Sequence, residues 1–199
     1  MLIELGQKYN KLEEKVEEIN KWVVKKKKKI NVLEWLNTNM TPNIVFDLII
    51  EKIIVNEEDL NILMNNHFND SLNSVFSRTI YKLSETENPV FAFIQKTNTF
   101  YIYDIIDGKN VWTELTTERL IKFLNKVHMK IMKAFFEWKK TKEIEIKSSD
   151  SFAIMCDKTT VKLMSVEFKQ ESILSKVRSG MFNRMKTDMK GLIEYDFEF

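Results

Sequence analysis

Ten residues near the N-terminus, Leu2, Leu5, Tyr9, Leu12, Val16, Ile19, Val23, Lys26, Ile30 and Leu33, follow one another at alternating spacings of three and four. A surface helix packing on a globular core shows a broader apolar face than this. So narrow and so long a stripe is the pattern of a helix–helix seam. With Leu2, Tyr9, Val16, Val23 and Ile30 at position a, and Leu5, Leu12, Ile19, Lys26 and Leu33 at d, three a residues are β-branched and three d residues are Leu. That combination favours two parallel strands. Lys8 can meet Glu13 of a second copy, Lys29 can meet Glu34, and no such pair brings like charges together. Lys26 at d weakens the seam locally but disfavours slipped registers and larger bundles, which would bury its ammonium. The alternative is an antiparallel pairing with a later helix of the same chain.

A chain of 199 residues holds this extension and one further domain of ordinary size. With 44% hydrophobic and 12% aromatic residues but only 4 Gly and 2 Pro, the composition suits a packed, mainly helical core. The single cysteine, Cys156, excludes an intrachain disulfide framework and fits a reducing compartment. The first twenty residues lack the apolar stretch of a signal peptide, and no long uncharged apolar window suggests a membrane span. The expectation is an intracellular protein that is not secreted.

Charge is segregated beneath the net +2. Residues 1–30 hold 9 basic and 5 acidic side chains, 31–120 hold 6 and 13, and 121–190 hold 16 and 8. An acidic middle beside a basic C-terminal half implies either mutual docking or a basic face for an anionic partner. Only 4 of the 31 basic residues are Arg, and Ile and Asn are also abundant. This resembles an AT-rich codon bias, which lowers the weight of the lysines as a phosphate-binding signal.

The pattern divides the chain into a coiled coil (1–37), a helical module (38–87) and an α+β domain (88–199). Asn37, Thr38 and Asn39 end the first helix, and Thr41 with Pro42 starts another as N-cap and first helical residue. Asn56 and Asp70 are expected to cap two further helices. The period then changes: Val90 to Ile94 and Thr99 to Tyr103 read as a β-hairpin, with a third short strand at Val111 and Trp112. Thr116 or Thr117 caps a helix of about twenty residues carrying Leu120, Leu124, Val127, Ile131 and Phe135. Helices over 151–164 and 170–187 follow. Residues 194–199 alternate acid and aromatic, which predicts a closing strand returning to the hairpin sheet. The expected fold class is α+β, mainly helical, with a parallel coiled coil, a helical segment and a small antiparallel sheet packed on long helices.

The run from Pro89 to Asp104, then Trp112, then Phe136, Glu137 and Trp138, and the closing stretch from Lys186 to Phe199, resembles a module in uncharacterised proteins of large nucleocytoplasmic DNA viruses, the giant viruses. There too a coiled coil precedes the α/β part. The resemblance implies a viral source and a reducing cytoplasmic or virion setting. Its motifs are aromatic and structural, and it brings no catalytic residues with it.

Motifs of enzymatic chemistry are sparse. Gly6, Gly108, Gly180 and Gly191 are isolated and form no phosphate loop. His67 and His128 have no partner at metal-ligand spacing, and Cys156 has no activating neighbour in sequence. No cofactor is expected. The adjacent acids Glu57, Glu58 and Asp59 sit where a helix N-terminus favours them. Two features could bind an anion. The first is Lys25, Lys27, Lys28 and Lys29 beside Lys26, doubled in a dimer into a collar that attracts phosphate by counterion release. The second comprises Lys122, Lys126, Lys130 and Lys133 on one helix, with Arg178, Arg184 and Lys186 beyond it. Each can equally be a solvated polar face. The expectation is thus a non-enzymatic, homodimeric viral interaction or scaffold protein, of the kind found in a virion, with itself and other viral proteins as partners. The alternative is a dimeric nucleic-acid-binding protein using lysines 25–29 and the basic C-terminal helices. A third reading is enzymatic chemistry hidden in the α/β part.

Overall fold

A computed structural model describes residues 2–25, 31–84 and 86–189. Helix α1 spans Leu2–Lys25, and α2 spans Val32–Asn39. The heptad stripe does not run to Leu36 as one helix. Asn31 has extended backbone (φ −74°, ψ 110°), and its Oδ1 accepts from the Leu33 and Glu34 N–H groups. It therefore caps a new helix. The last seam residue, Leu33, and its neighbour Leu36 pack on the chain's own sheet instead. The single helix expected over 1–37 is therefore interrupted at Asn31, and residues 26–30, with Lys26 and Ile30, lie outside the described residues.

Thr41 and Pro42 do not start a helix. Pro42 is buried in a non-helical stretch, and the Asn43 N–H donates to Thr86 O (3.2 Å). A 3₁₀ turn over Phe46–Leu48 and the short α3 (Ile49–Lys52) come later. Tertiary packing overrides the local signal here, since Phe46 and Ile49 must reach the core and Phe46 lies 4.9 Å from the Phe123 ring. Helix α4 (Glu57–Asn65) opens with the expected cap: Asn56 Oδ1 accepts from Asp59 N–H, and Asp59 Oδ2 accepts from Asn56 N–H, a reciprocal capping box. Helix α5 (Phe68–Arg78) is capped by His67, three residues before the expected cap. Asp70 is its third residue and reaches back to accept from His67 N–H (3.1 Å).

Strands β1 (Val90–Phe93), β2 (Phe100–Ile106) and β3 (Lys109–Glu114) form the expected hairpin and third strand. Asp107 (φ 49°) and Gly108 (φ 75°) make the two-residue turn between β2 and β3, both in the left-handed region a type I′ turn needs. Helix α6 (Thr117–Thr141) is capped by Thr116, whose Oγ1 accepts from Arg119 N–H. Helices α7 (Glu143–Ser148), α8 (Asp150–Met164) and α9 (Glu171–Met185) follow. The last two agree within two residues with the spans read from sequence.

The chain then leaves α9 into β4 (Lys186–Thr187), which pairs parallel to β1. The sheet order is β3-β2-β1-β4. The expected antiparallel sheet is therefore mixed, its fourth strand brought beside β1 by the helical crossover. The alternating stretch 194–199 lies outside the described residues.

Both sheet faces are buried, as the alternation of β1 and β2 requires. Val90, Ala92, Phe100 and Ile102 enter a large core built on α6. It takes Phe46, Leu63, Leu72 and Phe76 from 38–87, Leu124, Ile131 and Phe182 from the later helices, and Phe168 from the turn between α8 and α9. Phe91, Phe93, Tyr101, Tyr103 and Trp112 form a second, aromatic core under α2, which contributes Leu33, Trp35 and Leu36.

Candidate interaction surface

Four consecutive seam residues of α1 face solvent: Tyr9 is 69% exposed, Leu12 65%, Val16 49% and Ile19 60%. Lys8 and Glu13, which flank the stripe, are exposed too. Side chains this apolar, repeated over three turns of one helix, form an unpartnered contiguous strip. Of the remaining seam positions, Leu2, Leu5 and Val23 are helical by backbone, and Leu33 is committed to the aromatic core.

Several of the basic residues singled out from sequence hold partners within the fold. Lys130 Nζ donates to Ile53 O (3.0 Å), tying α6 to the end of α3. Arg178 donates from its two terminal nitrogens to Thr117 Oγ1 and Leu115 O, each at 3.4 Å. Arg184 stacks over Tyr81 (5.8 Å) and donates to Ser77 Oγ. Lys186 lies over Phe182 and donates to Asn183 Oδ1. Lys126 stands 3.9 Å from Asp47, and Lys133 stands 3.9 Å from Glu137 on its own helix. Lys122 is exposed. Lys25 ends α1, and Lys27, Lys28 and Lys29 lie outside the described residues. Several of these cations thus serve the fold, holding carbonyls, hydroxyls and rings.

A lysine absent from the sequence reading has the same use. Lys162 on α8 donates to Leu63 O and Asn66 O, both at 2.6 Å, and so caps the C-terminal end of α4 with a cation. Burial lowers its pKa. The acidic run at 57–59 also resolves into structure. Asp59 is fully buried, with Oδ2 paired to Arg78, while Ser71 Oγ donates to its carbonyl. Arg119 draws Asp104 of β2 and Asp47 (3.2 Å) to the start of α6.

The reactive groups have equally local surroundings. His128 is buried at the α5–α6–α8 junction, edge-on to Phe68 and Phe168, with Nε2 3.0 Å from Leu163 O. Burial lowers its pKa, and the Leu163 carbonyl partly offsets this. Cys156 is buried and its pKa is raised by that burial, leaving a thiol of low nucleophilicity. Tyr81 is pushed up to about 12 by desolvation, against the pull of Arg184. Among the described residues no three His, Cys, Asp or Glu side chains gather into a metal-binding group, and no helix is long and apolar enough to cross a membrane. A shallow hollow of about 550 Å³ beside α7 and α8 is lined by Glu145, Ser148, Ser149, Ser151, Phe152 and Met155. Its Ser149 is spent as the α8 cap.

Comparison of the chain with protein-family models, curated proteins and solved structures finds no match.

Proposed function

We propose that the protein is a non-enzymatic interaction or scaffold component that works as a parallel homodimer through α1. The exposure of Tyr9, Leu12, Val16 and Ile19 carries the reading, because water is a poor partner for this stripe and a second copy is a good one. Charge selects the orientation. The flanking positions on one side hold Lys8 and Lys15, while Glu13 and Asn20 occupy the other. A parallel pair sets Lys8 against the partner's Glu13, whereas an antiparallel pair sets lysine-bearing flanks against each other. Fully burying an aliphatic or aromatic side chain contributes roughly 1.5–3 kcal/mol. The viral, intracellular setting implied by the resemblance belongs to the same proposal, as does a place in the virion.

The test is cross-linking of Leu12→Cys. In a parallel, in-register dimer the two d positions meet, so mild oxidation should give a disulfide-linked dimer in high yield. An oxidised protein that stays monomeric overturns the parallel reading. Binding of nucleic acid is the second proposal, and it now leans on lysines 25–29, since Lys130, Arg178 and Arg184 already hold partners within the fold.

A further inference from the structure

Among the described residues strand β3 is one edge of the sheet, and an edge strand offers unpaired N–H and C=O groups to any extended chain. The register shows which groups these are. Leu115 N–H donates to Phe100 O (2.8 Å), so Leu115 and residues two apart from it turn their backbone toward β2. Trp112, opposite Tyr103, belongs to the other set and turns its N–H and C=O outward.

Both outward groups of Trp112 are taken by one side chain. Trp112 N–H donates to Asn37 Oδ1 (2.8 Å), and Asn37 Nδ2 donates back to Trp112 O (3.4 Å). Nδ2 also donates to Leu33 O (2.8 Å) in its own helix. A carboxamide presents a donor and an acceptor with the spacing of a peptide group, so Asn37 occupies the place of a neighbouring strand. The same junction is fixed a second time by the Trp112 indole, whose Nε1–H donates to Met40 O (2.8 Å).

We infer that the Asn37 carboxamide is a surrogate strand that closes the β3 edge against a second copy of β3. Pairing of two β3 edges, antiparallel about Trp112, would use the N–H and C=O groups of Asn110, Trp112 and Glu114. With the central pair occupied, the remaining groups stand four residues apart and cannot form a continuous ladder. The opposite edge is protected differently, by the two-residue length of β4. This edge is independent of the α1 seam, so the failure of one reading leaves the other standing.

The experiment compares the full-length protein with Asn37→Ala by amide hydrogen exchange and light scattering across a concentration series. In the parent the Trp112 amide should exchange slowly despite its edge position. In Asn37→Ala it should exchange at least tenfold faster, and species larger than the parent's should appear as concentration rises. Unchanged Trp112 exchange overturns the inference. So does faster exchange without added association, which would mean that the bulk of α2, not the amide, closes the edge. Should the alanine variant fail to fold, Asn37→Asp keeps the acceptor and loses the donor, and is read by the same two measurements.

Discussion

Helices α1 and α6 are nearly equal in length, 24 and 25 residues, and both are amphipathic, yet they put their apolar residues to opposite uses. Along α6, Leu120, Leu124, Val127, Ile131 and Phe135 are completely buried. Along α1, Tyr9, Leu12, Val16 and Ile19 stand in water. The difference lies in the width of the stripe. On α6 the apolar face also takes in Phe123, Met132 and Phe136, broad enough to lie against a sheet and several helices at once. On α1 the stripe is only as wide as one other helix. A narrow stripe suits a helix–helix seam, whereas a broad one suits a core.

The largest expected effect separates the two helices most sharply. Phe135→Ala on α6 should cost about 3–5 kcal/mol of unfolding free energy, because it removes a buried ring and leaves a cavity. Tyr9→Ala on α1 should leave the unfolding of the domain within about 0.5 kcal/mol of the parent and weaken self-association instead. Urea denaturation at a concentration low enough to separate the copies checks both. A large loss of domain stability from Tyr9→Ala would show that α1 packs on its own domain.

Asp59→Ala comes next. It removes the buried partner of the Arg78 guanidinium, which keeps only the exposed Glu58 carboxylate at 3.7 Å, and strips the α4 capping box, at a cost of about 3 kcal/mol. Glu14 on α1 is exposed, so Glu14→Ala should change domain stability by less than about 0.5 kcal/mol in the same assay.

A smaller effect is a pH dependence confined to the domain, since α1 contains no histidine. Burial holds the His128 pKa below its ordinary value of 6.5. Between the folded value and 6.5 the unfolded chain binds a proton that the folded chain does not. Stability is therefore complete above about 6.5 and declines as pH falls through that window. His128→Gln should flatten this part of the curve, and an unchanged slope would assign it elsewhere.

Much of this organisation was legible in the sequence where the determinant is local. Asn56 and Thr116 announce their helices because a cap is set within four residues, and the β1–β2 hairpin follows from its alternation. Long-range determinants were not legible. Leu33 satisfies the heptad as well as it satisfies the sheet, and only the packing of α2 on the aromatic face chooses between them. Thr41 and Pro42 look like a helix start, but Phe46 and Ile49 have to reach Phe123 and its neighbours first. The parallel pairing of β4 depends on a chain reversal across ninety residues that no local pattern encodes. On the candidate surface, the exposed stripe follows directly from its spacing. The internal duties of Lys130, Arg178 and Asn37 do not, since each depends on a carbonyl far away in sequence.

The mass of the full-length protein in solution tests the central claim most directly. Sedimentation equilibrium over a range of concentrations should show reversible association from a monomer of 23.7 kDa to twice that mass, and Val16→Glu should abolish it while the fold persists. A protein that stays at 23.7 kDa at the highest concentrations, or a dimer indifferent to Val16→Glu, would contradict the assignment of α1 as the assembly helix.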